Sequence, residues 1–166
     1  MSAHVTSSVL DELAAVAEER DAAAEKLQCS VLTANESGVS QRDIAKTLGV
    51  TQSAVSQMIA TSRARAKLRQ GPVGRKLAEH RAEVIRIARS HGASNVRVFG
   101  SVSRGEDDED SDLDLLVNMP GLRRLTEVIG LEYDLTDVLG APVDVTPEQL
   151  VKREALPLLG ATAVPL

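Results

Sequence analysis

Apolar residues in the first part of the chain recur at the spacing of helices. Over residues 8–28 they fall every three or four positions between mostly charged residues, which predicts an amphipathic helix. A shorter helix is predicted over residues 41–48, because Ser40 and Asp43 resemble a capping box. A third helix is predicted over residues 52–70. This part of the chain is therefore predicted to be entirely helical.

The rest of the chain alternates between helical and strand patterns. In order, the pattern predicts a helix over 73–91, a strand over 96–99, a helical turn over 101–105, a solvated acidic loop over 106–110, a strand over 113–117, a helix over 122–139, a strand over 143–146 and a last helix after Pro147. This order is typical of an α/β domain.

A break in the pattern separates the two parts. Gly71 and Pro72 together stop a helix, and the composition changes across them. The 166 residues are therefore predicted to form a helical domain over residues 1–70 and an α/β domain over residues 71–166. Domains of this size lie near the lower limit for a stable core.

Composition narrows the classes of protein to consider. The chain has one Phe, one Tyr and no Trp, so it lacks the rings on which single-stranded nucleic acid stacks. Its single cysteine, Cys29, excludes an internal disulfide and a Cys-rich zinc site. No run approaches the ~18 apolar residues of a membrane helix, and the N-terminus lacks the pattern of a signal peptide. We therefore expect a cytoplasmic protein that binds no membrane.

The net charge of −5 is unevenly distributed along the chain. Residues 1–70 carry 8 Lys and Arg against 8 Asp and Glu, whereas residues 71–166 carry 11 against 16. A short basic tract with Arg63, Arg65 and Lys67 is compatible with contacts to DNA phosphates. The acidic second part would repel a polyanion unless metal ions intervene.

The helices on either side of Gly49 resemble a bacterial helix-turn-helix of the repressor type. Gly49 permits the positive φ of a sharp turn, Ala45 is small where two helices must cross closely, and Thr51 caps the second helix. That helix would present four polar side chains to promoter DNA: Gln52, Ser53, Ser56 and Gln57. The alternative is a helical hairpin that packs against the second domain or a partner. The helix over residues 8–28 either packs as the first helix of this domain or forms a homodimer.

Three Asp residues in the second part are predicted to converge. Asp112 and Asp114 lie two positions apart at a predicted strand, so their side chains project from one face while Leu113 faces the core. Asp144 alternates with valines on another short strand, and it joins the pair if the two strands are neighbours. Such like charges are costly without cations, which indicates a site for Mg²⁺ or Mn²⁺.

A glycine turn before these carboxylates is predicted to bind phosphate. Gly100 allows the backbone to approach a phosphate closely, and the Ser101 hydroxyl can donate to its oxygens. Arg104, one turn further on, could neutralise charge on the same triphosphate. Two divalent ions held by the carboxylates could bridge a nucleoside triphosphate and activate an attacking oxygen.

The joint pattern resembles the minimal nucleotidyltransferases, a compact branch of the DNA polymerase β-like superfamily. The family's motif of Gly-Ser, ten residues and Asp-x-Asp falls on Gly100, Ser101, Asp112 and Asp114, and its third acid falls on Asp144. The resemblance implies an α/β domain with a small mixed sheet. It also implies a metal-dependent transfer of a nucleoside monophosphate, with the three Asp residues as catalytic metal ligands.

The same resemblance implies a partner protein. Minimal nucleotidyltransferases resemble the antitoxin half of two-gene modules whose usual partner is a HEPN-domain ribonuclease toxin, and some transfer AMP from ATP to a toxin tyrosine. We therefore expect an antitoxin-like transferase that modifies a cognate toxin and represses its own promoter. One alternative is a DNA-binding regulator with a non-catalytic transferase domain. Another is a transferase of the aminoglycoside type, which we disfavour because 22 residues follow Asp144 and leave little room for an acceptor pocket.

Overall fold

The computed structural model describes the backbone of residues 2–166. It describes the side chains of Val9 and of residues 12–17, 19–157, 159–160 and 162–166. The chain divides into two compact units, one that ends at Ser62 and one that begins at Arg63.

The first unit is built from helices, as predicted. They are α1 (Ser2–Glu36), α2 (Gln41–Leu48) and most of α3 (Gln52–Leu68). α1 is longer than the predicted helix over residues 8–28, because no Gly or Pro interrupts the chain before Gly38. A small core holds the three helices together and consists of Val31, Ile44, Ala45, Val55 and Ile59.

The predicted helix ends around the short turn of this unit are confirmed. The Ser40 hydroxyl accepts a hydrogen bond from the N–H of Asp43 at 3.2 Å. The Thr51 hydroxyl accepts one from the N–H of Ala54 at 3.1 Å. Gly49 ends α2 with a φ of 67°, which a residue with a side chain rarely adopts. These short-range contacts fix the turn between α2 and α3.

The second unit combines helices with a mixed sheet. Its elements are α4 (Pro72–Glu79), α5 (Arg81–Ser90), β1 (Ser94–Phe99), α6 (Gly100–Arg104), β2 (Leu113–Asn118), α7 (Leu125–Leu139), β3 (Val143–Pro147), a 3₁₀ turn (Glu148–Leu150), α8 (Leu156–Thr162) and β4 (Val164–Pro165). The strand order is β3-β2-β1-β4. β1 runs antiparallel to both β2 and β4, and β2 runs parallel to β3. One face of this sheet packs on α4, α5 and α7 to form the main core.

The prediction of one helix over residues 73–91 is wrong. The chain leaves the helical path at His80, so that α4 ends and α5 begins there. No Gly or Pro marks this break. The bend lets α4 contact α6 while α5 contacts β1, so it is set by packing between elements that are distant in sequence.

The prediction that the whole acidic run 106–110 is solvated is wrong at Asp107. This side chain is buried, and its Oδ2 accepts hydrogen bonds from the N–H groups of Val73 at 2.8 Å and Gly74 at 3.0 Å. Asp107 therefore caps the N-terminus of α4 from a loop more than thirty residues away. A Cβ atom at Gly71 would overlap this carboxylate, so the glycine makes room for the cap.

Several element ends also differ from the sequence prediction. α7 begins at Leu125 rather than Leu122, because a turn closes between the N–H of Leu122 and the carbonyl of Met119. The predicted last helix is a 3₁₀ turn followed by α8, and the two-residue β4 was not predicted. The division between the units falls within α3, before the predicted boundary at Gly71, because Leu68 belongs to the second core.

Candidate active site

The predicted carboxylates lie on two neighbouring parallel strands. In the register of β2 and β3, Asp114 pairs with Asp144. Leu113 and Val143, the residues just before them, are buried in the core, so the two Asp side chains project from the opposite face of the sheet. Neighbouring strands are about 4.8 Å apart, and this spacing keeps the two carboxylates in electrostatic contact. Asp112 precedes β2 on the same face and is exposed.

The electrostatics of Asp114 reflect its burial and its acidic neighbours. Burial raises the pKa of the Asp114 carboxyl, and the negative charges of Asp144 and Asp112 raise this pKa further. The positive charge of Arg104 acts in the other direction and lowers the pKa. The site therefore concentrates negative charge, and the positive charge of Arg104 acts on it.

The glycine turn lies directly against Asp114. β1 ends at Phe99, whose register partner on β2 is Asp114, and Gly100 follows with a φ of 71°. A Cβ atom at Gly100 would overlap the Asp114 carboxylate, so only glycine fits both the backbone angle and the space. Ser101 is half-buried at the start of α6. The structure thus brings the predicted phosphate-binding residues beside the predicted metal ligands.

Arg104, which is predicted to contact phosphate, pairs with another residue of the chain in this structure. Its Nε donates a hydrogen bond to Glu106 Oε2 at 2.6 Å, and both side chains are largely exposed. An exposed ion pair of this kind contributes little stability, so the guanidinium can exchange its partner at low cost. Arg104 is therefore placed at the edge of the site and held by an acid from the adjoining loop.

The donor set fits a hard divalent cation, although it is not closed around one. Among the residues whose side chains are described, no three His, Cys, Asp or Glu groups are arranged to hold a metal ion. Carboxylate oxygens are nevertheless the ligands that Mg²⁺ and Mn²⁺ prefer. The raised pKa of Asp114 also shows a repulsion that a cation would relieve. Asp112, Asp114 and Asp144 are thus suitable ligands that need side-chain adjustment to converge.

Comparison with known proteins agrees with this geometry. A family model described as a nucleotidyltransferase domain matches residues 79–160. A relative from Methanocaldococcus jannaschii, provisionally named a protein adenylyltransferase, is 39% identical over 67 residues, which are 40% of this chain and 72% of that protein. The chain belongs to the nucleotidyltransferase family. Members of this family generally use nucleoside triphosphate donors and divalent metals, and the three carboxylates and the glycine turn of this transferase are suited to both.

Two further proteins are similar to this transferase. The protein adenylyltransferase MntA of Thermococcus cleftensis is 41% identical over 61 residues, which are 37% of this chain and 62% of that protein. A solved structure provisionally described as a minimal nucleotidyltransferase is 41% identical, with a TM-score of 0.51. It covers 54% of this chain and 92% of its own. The fold with its mixed sheet is therefore that of a minimal nucleotidyltransferase.

One residue near the site was not predicted from the sequence. Glu132 lies on α7, and its Oε1 accepts a hydrogen bond from the N–H of Val145 at 3.0 Å. β3 is an edge strand, and this contact holds the peptide that directly follows Asp144. A lone Glu on an amphipathic helix carries no pattern that reveals such a role, because the partner is a backbone group of a distant strand.

The predicted DNA-contacting residues lie apart from the carboxylates in sequence. Gln52, Ser53, Ser56 and Gln57 are all exposed on the first turns of α3. In the second unit, Arg63 and Lys67 are exposed, whereas Arg65 is half-buried and its Nε donates to the carbonyl of Pro165 at 2.9 Å. Arg65 therefore has a structural contact that the sequence did not reveal.

No helix among the described residues has the length and apolar character to cross a membrane.

Proposed function

We propose that this nucleotidyltransferase transfers AMP from ATP to a hydroxyl group of a partner protein. The observation that carries the proposal is the register of β2 and β3, which sets Asp114 beside Asp144 and next to the turn at Gly100. The relatives from Methanocaldococcus jannaschii and Thermococcus cleftensis are both named for transfer to proteins, which supports a protein acceptor.

Different residues of the chain bind the phosphates and remove the proton. Gly100 gives the triphosphate close access to the backbone, and the Ser101 hydroxyl donates to a phosphate oxygen. Arg104 adds a charge-assisted hydrogen bond after it exchanges Glu106 for phosphate. Asp144 is exposed on the edge strand, so it faces the incoming hydroxyl and accepts its proton.

The proposed reaction is an in-line substitution at the α-phosphorus of ATP. The acceptor oxygen forms a bond to that phosphorus, and the bond from the phosphorus to the oxygen that bridges the β-phosphate breaks. The hydroxyl proton passes to Asp144, and pyrophosphate leaves. The acceptor thereby gains one AMP group.

Asp112, Asp114 and Asp144 are the residues that would hold Mg²⁺ or Mn²⁺. A divalent cation supplies positive charge that offsets the phosphates and favours loss of the acceptor proton. In its absence, burial and the negative charges of Asp144 and Asp112 raise the pKa of Asp114. Nucleotide and cation are therefore expected to bind together and to raise the melting temperature.

We further propose that the acceptor is the toxin of a two-gene module, with a HEPN-type ribonuclease as the expected partner, and that the modification silences it. The alternative is that the chain neutralises the toxin by binding alone. The presence of all three carboxylates, with Asp114 and Asp144 paired in register, favours catalysis. A chain that acted only by binding would have no need for a cluster of repelling acids.

The two mechanisms are separated by labelling the product of the adjacent gene with α-labelled ATP and Mg²⁺. We expect label on that protein with the wild-type transferase and none with the Asp112→Asn, Asp114→Asn double variant. The same pair of proteins is then compared for neutralisation of the toxin in cells. If no label appears and the double variant still neutralises the toxin, neutralisation occurs by binding and the proposed reaction is wrong.

A second function, binding to promoter DNA, is proposed for the first unit. Its support is the exposed set on α3, with Val55 and Ile59 buried beneath it. Replacing Gln52 or Gln57 by Ala is expected to weaken binding to the protein's own promoter by ~1–3 kcal/mol each in a gel-shift titration. Lys67→Ala is expected to weaken binding to all sequences and to flatten its salt dependence. Absence of any binding at low salt would leave the two helices as an interaction module.

A further inference from the structure

The outer surface of α7 carries three large apolar side chains that are not buried in the core. Leu125, Ile129 and Tyr133 are 65%, 60% and 74% exposed and recur at every fourth position. A second row, about 120° away around the helix axis, is buried in the core and consists of Val128, Leu131, Leu135 and Leu139. Folding of the second unit therefore accounts for one apolar row of α7 and leaves the other, which we call the α7 stripe, in contact with solvent.

The α7 stripe lies on the flank of the helix that is turned towards β3, the edge strand that bears Asp144. Each residue turns a helix by about 100°, so Glu132 lies between the core row and the stripe. Glu132 contacts the N–H of Val145 on β3, which fixes this flank of α7 against the open edge of that strand. Asp144, the preceding residue, projects from the other face of the same strand. An acceptor seated on the stripe therefore has to reach around the edge of β3 to bring its hydroxyl group to Asp144.

We propose that the α7 stripe is the docking surface for the acceptor protein, which covers the edge of β3 and so brings its hydroxyl group to Asp144. This inference rests on the proposed function, because it presumes a protein acceptor. Side chains at every fourth position form the ridge that packs into the groove of another helix, so the occupant is an apolar helical face of the acceptor.

The size of the stripe favours a transient partner over a second copy of this chain. Three side chains on two turns of helix cover far less than the about 800 Å² per partner that a stable dimer buries. A transferase must also release its modified substrate, so a modest apolar contact near the carboxylates suits turnover. Among the described residues, no strand covers the outer side of β3, so an acceptor on the stripe has an open path along that edge.

The test measures binding in the absence of ATP, so that it does not depend on catalysis. Full-length wild type and the variants Leu125→Lys and Ile129→Lys are titrated with the purified product of the adjacent gene by calorimetry. The matched control is Leu13→Lys, the same substitution at a leucine of α1 with 60% exposure in the other unit. We expect both stripe variants to bind at least tenfold more weakly and the control to bind as wild type does. All four proteins should keep the same melting-temperature gain with ATP and Mg²⁺.

Three results would overturn the docking surface. They are full affinity in both stripe variants, no binding by the wild type, and wild-type self-association in sedimentation that Leu125→Lys abolishes, which would make the stripe a contact between copies. Failure of the proposed function has a different signature. In that case the wild type binds the acceptor through the stripe, yet the acceptor gains no mass when ATP and Mg²⁺ are added.

Discussion

The second unit contains two groups of acidic side chains that have different roles. In the loop 106–110, Glu106 pairs with a neighbouring arginine and Asp107 caps a helix. Asp114 and Asp144 are instead paired on neighbouring strands. Burial of Asp114 and the negative charge of Asp144 raise the pKa of Asp114. The dense acidic run thus stabilises local structure, whereas the site consists of the acids that the sheet forces together.

The same substitution in each group of acids should have very different effects on activity. Asp114→Asn is expected to lower the rate of nucleotide transfer on the order of a hundredfold, because it removes one of the facing charges. Asp110→Asn, in the exposed loop, should leave the rate unchanged. The measurement is label transferred from α-labelled ATP. A comparable loss in both variants would mean that overall negative charge, and not the strand register, matters.

Substitutions in the loop 106–110 are expected to change the stability of the protein and not its activity. Asp107→Ala leaves the N–H groups of Val73 and Gly74 without their acceptor, so it should lower the free energy of unfolding by about 2 kcal/mol. Asp110→Ala, an exposed control, should stay within about 0.5 kcal/mol. Urea denaturation monitored by circular dichroism measures both. A stable Asp107→Ala variant would remove the structural role of this loop.

Glu132 connects α7 to the strand that carries Asp144. Glu132→Ala is expected to cost about 1 kcal/mol of stability and to reduce transfer severalfold, because the peptide after Asp144 loses its acceptor. Glu132→Gln keeps an acceptor oxygen and should restore most of the rate. Steady-state rates at saturating ATP distinguish the two. Equal rates in the Ala and Gln variants would limit Glu132 to a general contribution to stability.

The smallest expected effect is the dependence of stability on pH in a chelator. The folded protein raises the pKa of Asp114, so above that pKa the ionised carboxylate destabilises the folded state relative to the unfolded chain. As the pH falls through the folded pKa towards the ordinary value, Asp114 gains a proton and this penalty disappears. Asp114→Asn should therefore resist urea better than wild type at neutral pH. The difference should shrink through the acidic window, and a difference that grows there would contradict the assigned repulsion.

Local patterns in the sequence predicted much of the fold and of the site. Ser40 and Thr51 cap helices through neighbours three positions away, and Asp114 projects from the sheet because its strand alternates. The break at His80 and the cap from Asp107 depend on elements far apart in the chain, so no local pattern revealed them. The predicted convergence of three acids required the assumption that their strands are neighbours. The register confirms that β2 and β3 are neighbours, and convergence of the three carboxylates stays a prediction.

Catalysis of nucleotide transfer to a protein is the role that we propose for the acids paired across β2 and β3. Its most direct test is the intact mass of the adjacent gene's product after incubation with ATP, Mg²⁺ and either wild type or Asp144→Asn. We expect wild type to add the mass of AMP to the acceptor. Asp144→Asn should add none while it retains much of the thermal shift with ATP and Mg²⁺, since Asp112 and Asp114 remain. An acceptor that gains no mass with wild type, or gains the same mass with Asp144→Asn, would rule out catalysis by these acids.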